Sequence, residues 1–187
     1  MLTHGAGSDA RAPLLARVAE AFADAGVLVL RYDLPFRQQR LKGPPNPRQA
    51  VHDREGIGRA AEILRGLASG RVFAGGHSYG GRQTAMWAVE QPAAAGLLLL
   101  SYPLHPPGKP DQKRTGFFPE LRTAALFVHG TLDPFGSIED LRAALGSISA
   151  PVDLLPVEGA GHDLKRGAGF AAALPGRFQA LVCYPGS

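Results

Sequence analysis

The sequence predicts an α/β fold: a minimal, doubly wound and mainly parallel sheet with helices on both faces. Three observations carry this. Helical and extended apolar patterns alternate along the chain. The extended stretches, such as residues 96–101 and 124–129, are apolar nearly throughout, as strands covered on both faces are. The 24 glycines and 16 prolines among 187 residues follow no collagen-like period and so mark many tight turns. With 45% apolar and 19% charged residues, the chain is expected to form one domain over residues 1–187 with a substantial core.

In order, the first residues run as a strand into His4-Gly5, and residues 8–25 follow with helical spacing of Leu14, Leu15, Val18 and Phe22, stopped by Gly26. Residues 27–32 are expected as a buried strand. Residues 33–47, with four prolines, are expected as a loop. Residues 48–67 are expected as a helix through Val51, Ile57, Ile63, Leu64 and Leu67, capped by Asn46 with Pro47 in its first turn. A short strand over 71–74 leads into glycines, then come a helix over 81–90, a strand over 96–101 and a Pro-rich loop to Pro119. A strand over 124–129 precedes a helix opened by Ser137, with Asp140 in capping-box position. A strand over 152–157 and a helix over 164–184, kinked at Pro175, complete the chain.

No apolar run approaches the about 18 residues of a membrane helix, and no secretory leader is visible at the start, so a cytoplasmic, membrane-free protein is expected. Cys183 stands alone and is expected in the core; with no Cys/His cluster, neither a disulfide nor a metal site is expected. The net charge of +4 comes with only 7% aromatics and no recognition motif, which argues against nucleic-acid binding.

In parallel sheets, ligands sit outside the carboxyl ends of the strands. Gly76-His77-Ser78-Tyr79-Gly80 falls there, a G-x-S-x-G between a strand and a helix. A serine on that sharp bend needs neighbours without colliding side chains, which Gly76 and Gly80 provide; the bend exposes the Ser78 hydroxyl and aims helix N–H groups at a developing oxyanion. The alternative is a glycine-rich turn that merely links strand to helix. A serine hydroxyl needs a base and an orienting acid, in the order Ser, Asp, His. Asp133 in His129-Gly130-Thr131-Leu132-Asp133-Pro134 and His162 in Gly159-Ala160-Gly161-His162-Asp163 each follow a strand. Their alternatives are a turn aspartate and a surface histidine. His4-Gly5-Ala6-Gly7 offers the Ala6 N–H, beside that of Tyr79, as an oxyanion donor. His4 is expected to shape that loop. His52, His77, His105 and His129 are expected to be non-catalytic, with His77 pointing away from the serine, and Asp163 is too close in sequence to orient His162.

These motifs resemble the α/β-hydrolase superfamily over nearly the whole chain. More narrowly, residues 101–110 and 31–45 and the segments around Asp133 and His162 resemble a small family. That family includes bacterial dienelactone hydrolase-like proteins, testis-expressed hydrolase-like proteins and subunit 3 of the nonspecific-lethal chromatin complex. The resemblance implies the α/β-hydrolase fold and a Ser78, Asp133, His162 triad. Two departures stand out: dienelactone hydrolases use a cysteine where this chain has Ser78, and the chain opens on the strand before His4, without the fold's usual first strands.

Only about twenty residues connect the strand ending near Ser101 to Arg122, too few for a lid domain. Arg37, Arg40 and Lys42 on one loop and Lys109, Lys113 and Arg114 on another could attract an anionic substrate, or be ordinary solvated surface. Tyr102, Phe117, Phe118 and Phe135 are candidate apolar walls. The substrate-binding candidates are thus Arg37, Lys109, Tyr102 and Phe135. The expectation is a cofactor-free serine hydrolase, carboxylesterase-like, for a small and anionic ester. A non-catalytic interaction scaffold on the same fold and an acyltransferase are the alternatives, and the sequence leaves the oligomeric state open.

Overall fold

The computed structural model describes residues 1–166 and 169–183. Its elements are β1 (Leu2–Thr3), α1 (Pro13–Asp24), β2 (Arg31–Tyr32), α2 (Pro35–Gln39), a 3-10 turn (Pro47–Gln49), α3 (Ala50–Leu67), β3 (Ala74–His77) and α4 (Tyr79–Glu90), followed by β4 (Leu97–Leu100), a 3-10 turn (Phe118–Glu120), β5 (Ala125–Gly130), α5 (Ile138–Leu145), β6 (Val152–Val157) and α6 (Phe170–Val182). The six strands form one sheet in the order β2-β1-β3-β4-β5-β6, and every pairing is parallel.

β4 shows why the strands are apolar throughout. Leu97 and Leu99 enter one core and Leu98 and Leu100 the other, all nearly inaccessible, since successive side chains point to opposite faces. Each contributes about 1.5–3 kcal/mol by burial. Ile57 of α3, Trp87 of α4 and Leu141 of α5 close the first face, and Leu15 and Val18 of α1 with Leu174 of α6 close the second. The strand order reverses at β1: the chain runs from β1 to β2 on one side, then through α3 to β3 on the other. The crevice between the carboxyl ends of β1 and β3 is therefore the ligand position of such a sheet. Residues 101–124, between β4 and β5, hold only the short 3-10 turn, so this connection carries no helical lid.

Several expectations are corrected. Only Arg31–Tyr32 of residues 27–32 forms a strand; β2 is an edge with β1 as its single neighbour, and Val27 and Leu28 are 38% and 56% exposed. They line an apolar groove of about 270 Å³ with Met1, Phe73 and Phe178, at the opposite, amino edge of the sheet. The expected loop 33–47 contains α2, started by Pro35 in its first turn, where a fixed φ favours helix. β3 lies three residues later than expected because its glycines are part of the strand: a Cβ on Gly75 would sit 2.5 Å from the Leu98 carbonyl oxygen. In α3 the buried face is Asp53, Ile57, Ala60, Ala61 and Leu64, while Val51, Ile63 and Leu67 are exposed. α1 begins at Pro13, not residue 8, and α6 at Phe170, not 164; Pro175 lies inside α6, and Tyr184 falls outside the described residues. Cys183 is exposed, with an Arg71 guanidinium nitrogen 3.1 Å from its sulfur. Ser137 caps α5 as expected, accepting from the Asp140 N–H, but Asn46, accepting from the Arg48 N–H, caps the 3-10 turn and not α3, whose N-cap is Gln49 without a side-chain bond. No helix among the described residues is long and apolar enough to cross a membrane.

Candidate active site

At the end of β3 the backbone turns sharply into α4, and Ser78 takes φ 51° and ψ −117°. A residue with a side chain adopts that conformation at a cost of about 1–3 kcal/mol. The turn leaves no room beside it. A Cβ on Gly76 would lie 2.8 Å from the Gly80 carbonyl carbon, and one on Gly80 would strike the His4 carbonyl oxygen. Here glycine is a steric requirement.

Three side chains meet at this bend. The Ser78 Oγ is 2.7 Å from His162 Nε2, and His162 Nδ1 is 2.8 and 3.0 Å from the two Asp133 carboxylate oxygens. A carboxylate only accepts, so His162 Nδ1–H donates to Asp133 and Nε2 is left to accept from the Ser78 hydroxyl. The Asp133 carboxylate is fully buried, and its Oδ1 also accepts the Phe135 N–H at 2.9 Å. The two loops are bound together: the Leu132 N–H donates to the Ala160 carbonyl, and the Gly159 N–H to the Thr131 hydroxyl at 2.9 Å. Gly130 permits this approach, because a Cβ there would strike the Ala160 carbonyl oxygen. The Phe135 ring stacks on the His162 imidazole at 4.2 Å and 31°.

Across the crevice, His4 fixes the loop after β1. Its Nε2 accepts from the Leu34 N–H at 3.1 Å, so its Nδ1–H donates to the Gly5 carbonyl at 2.9 Å. The Ser8 N–H reaches the same oxygen at 3.2 Å. In a trans peptide the N–H points opposite to the C=O, so the Ala6 N–H faces away from His4 and Ser8. The loop runs against the serine, with a Gly5 Cβ position only 3.4 Å from Ser78 Cβ. The Tyr79 N–H belongs to the first turn of α4, where backbone donors lack helical partners.

The other expected residues fall elsewhere. Arg37 is not at the mouth. It is 5% exposed and its guanidinium donates to the Ser8, Arg40, Ala6 and Gly43 carbonyls, with the Ala6 contact at 2.8 Å. A guanidinium carries five donors in a fixed fork, and this one serves as the internal frame of the β1 loop. Arg37→Ala should therefore destabilise the fold by about 2–4 kcal/mol, read by urea denaturation. Unchanged stability with a lost preference for charged substrates would instead make Arg37 a substrate ligand. Tyr102 is fully buried against Phe118 and Phe127, its hydroxyl donating to the Arg114 carbonyl at 2.5 Å, so it packs the core beneath the site. Phe117 and Phe118 belong to the same packing. Phe135 alone of these rings lies against the triad-like line, and Lys109 sits exposed on the outer loop.

Two contacts escaped the sequence. His77 Nε2–H donates to the His162 carbonyl at 2.8 Å and so anchors the loop that carries His162, and the Tyr79 hydroxyl donates to buried Asp53 at 2.7 Å. Asp53 also accepts the Phe36 N–H at 3.0 Å, tying α2, α3 and the elbow together. Polar residues 26 positions apart carry no local pattern that announces such a bond.

Burial pushes His77 down to about 4 from 6.5, and His4 and His129 are lowered for the same reason. As pH falls below 6.5 the unfolded chain takes up protons that folded His77 refuses until about 4. Stability is thus full above pH 6.5 and lost as pH falls toward 4. Thermal melting from pH 7.5 to 4.5 should show this decline, with a shallower slope in His77→Gln; a flat profile would contradict it.

A model of the alpha/beta hydrolase domain matches residues 1–170. The chain belongs to the alpha/beta hydrolase domain family. Solved structures agree on the fold of this hydrolase-family protein. Est1E from Butyrivibrio proteoclasticus, with ferulic acid bound, is 17% identical with a TM-score of 0.78 over 97% of this chain and 88% of its own. Dienelactone hydrolase from Anabaena variabilis is 21% identical, TM-score 0.75, over 95% and 83%. The monoacylglycerol lipase of Paleococcus ferrophilus is 17% identical, TM-score 0.74, over 95% and 92%.

Proposed function

We propose that this hydrolase-family protein is a cytoplasmic serine esterase, a single domain that cleaves a small ester through an acyl-enzyme on Ser78. The reading rests above all on the continuous hydrogen-bonded line from Ser78 through His162 to Asp133 at the sheet's switch point. Ser78 Oγ attacks the ester carbonyl as His162 Nε2 takes its proton, and Asp133 steadies the imidazolium. The Ala6 and Tyr79 N–H groups donate to the tetrahedral oxyanion. His162 then protonates the departing alcohol, activates water, and the carboxylate product leaves as Ser78 recovers its proton. The steps use groups of this chain and water.

The fold is shared with proteins that do other things, so a scaffold role is the natural rival. A scaffold has no need to keep a strained serine, an aligned base and a buried acid together. Stopped-flow hydrolysis of 4-nitrophenyl butyrate tests the reading. A burst of nitrophenolate of up to one equivalent, followed by steady turnover and absent in Ser78→Ala, is expected. No turnover of esters of any acyl length would refute it.

A further inference from the structure

Phe135 touches both Asp133 and His162. Its backbone N–H donates to the Asp133 carboxylate at 2.9 Å, and its half-buried ring lies on the His162 imidazole, with centroids 4.2 Å apart and planes 31° from parallel. The backbone on the other side of the ring is held as firmly. The Phe135 carbonyl accepts the His105 N–H at 3.1 Å, and the Gly136 carbonyl accepts the Nε2–H of buried His129 at 2.9 Å. The phenyl ring is thus carried by a stretch of chain tied to β5, to the β4–β5 loop and to the acid itself.

Ring faces this close are in van der Waals contact. An imidazole turning about its Cβ–Cγ bond must pass edge-on to the phenyl ring, so the stacking opposes the rotation that would take Nε2 away from Ser78. An aromatic face also attracts a cation more strongly than a neutral ring. It therefore favours the imidazolium over the imidazole. The charged and titratable groups around His162 do not duplicate this. Asp133 accepts from Nδ1 at the ring edge, and His77, with its ring centroid 5.2 Å away, is held neutral above about pH 4 by burial. Buried His129 is lowered for the same reason, Asp163 is paired with Lys165 at 2.8 Å, and Arg17 of α1 donates to the Leu164 carbonyl.

We infer that Phe135 is a positioning residue: its ring holds the His162 imidazole toward Ser78 and stabilises the imidazolium formed during acylation and deacylation. The ring exchanges no atom, since the proton still passes from Ser78 Oγ to His162 Nε2 and on to the departing alcohol. This rests on the serine-esterase reading and sets Phe135 against the histidine rather than against the substrate.

The test measures kcat and KM for 4-nitrophenyl acetate and butyrate from pH 5 to 8 in the wild type, Phe135→Leu and Phe135→Tyr. Leucine keeps an apolar side chain without a π face, and tyrosine keeps the face. Phe135→Leu should lower kcat about 5-fold on both esters and leave KM within about 2-fold. It should also move the acid limb of kcat/KM down by about 0.5 pH unit, because an imidazolium without the phenyl face loses its proton more readily. Phe135→Tyr should recover both. A loss confined to KM or growing with acyl length would make Phe135 a substrate wall and overturn the inference, as would an unchanged kcat or an unmoved acid limb. Thermal melting identifies a misfolded variant, and Phe135→Met carries the test if Phe135→Leu misfolds. If the wild type cleaves no ester, the esterase reading fails by itself, and the stacking is judged by NMR titration of His162, its signal assigned by its loss in His162→Gln. A midpoint about 0.5 pH unit lower in Phe135→Leu than in the wild type supports the stacking role; an equal or higher midpoint overturns it.

Discussion

Ser78→Gly is expected to lower ester turnover by about 10⁴-fold or more while raising stability by about 1 kcal/mol. The first effect follows from removing the proposed nucleophile, whose oxygen sits 2.7 Å from His162 Nε2. The second follows from the backbone. At φ 51° and ψ −117° a residue with a Cβ is strained, and glycine relieves that strain by more than its own greater unfolded-state entropy costs. Ser78→Ala should lose the same activity without the stability gain, since it keeps the Cβ. Turnover comes from initial rates on 4-nitrophenyl butyrate and stability from urea denaturation. A glycine variant less stable than the wild type would mean that the bend is not where strain is stored.

Asp133→Asn should reduce kcat by about 10⁴-fold with the fold intact. The carboxylate fixes His162 with its proton on Nδ1 and its lone pair toward Ser78. An amide nitrogen in the same place donates, which favours the tautomer with the proton on Nε2, unable to accept from the serine. The amide oxygen can still accept the Phe135 N–H that Asp133 now holds at 2.9 Å, so melting temperature should change little. A loss of kcat under tenfold would show that His162 does not depend on Asp133 for its tautomer.

Much of the site is legible because its demands are local. A sharp strand-to-helix bend requires glycine at positions 76 and 80, and the sequence advertises it. Asp133 and His162 follow directly on β5 and β6, so their place at the carboxyl edge follows from the strand pattern. The Ser137 cap of α5, and the Asn46 cap of the 3-10 turn that precedes α3, are equally local. What stays hidden is set by distant partners. Arg37 looks like a surface cation until the Ala6 and Ser8 carbonyls close on it, and Tyr102 looks like a loop aromatic until Phe118 and Phe127 enclose it. β3 is displaced in the sequence reading because Gly75 and Gly76 suit a strand only where neighbouring backbone approaches closely, a property of the neighbours. Val51, Ile63 and Leu67 obey helical spacing yet face outward, since α3 turns its alanines and Ile57 toward the sheet.

The central claim is that Ser78 is a nucleophile activated by His162 and Asp133. Its most direct test is intact-mass spectrometry with peptide mapping after exposure to a fluorophosphonate probe. The account predicts a single adduct on the peptide containing Ser78, absent in Ser78→Ala and formed far more slowly in His162→Ala. No adduct on the folded wild type, or equal labelling of wild type and Ser78→Ala, would contradict it.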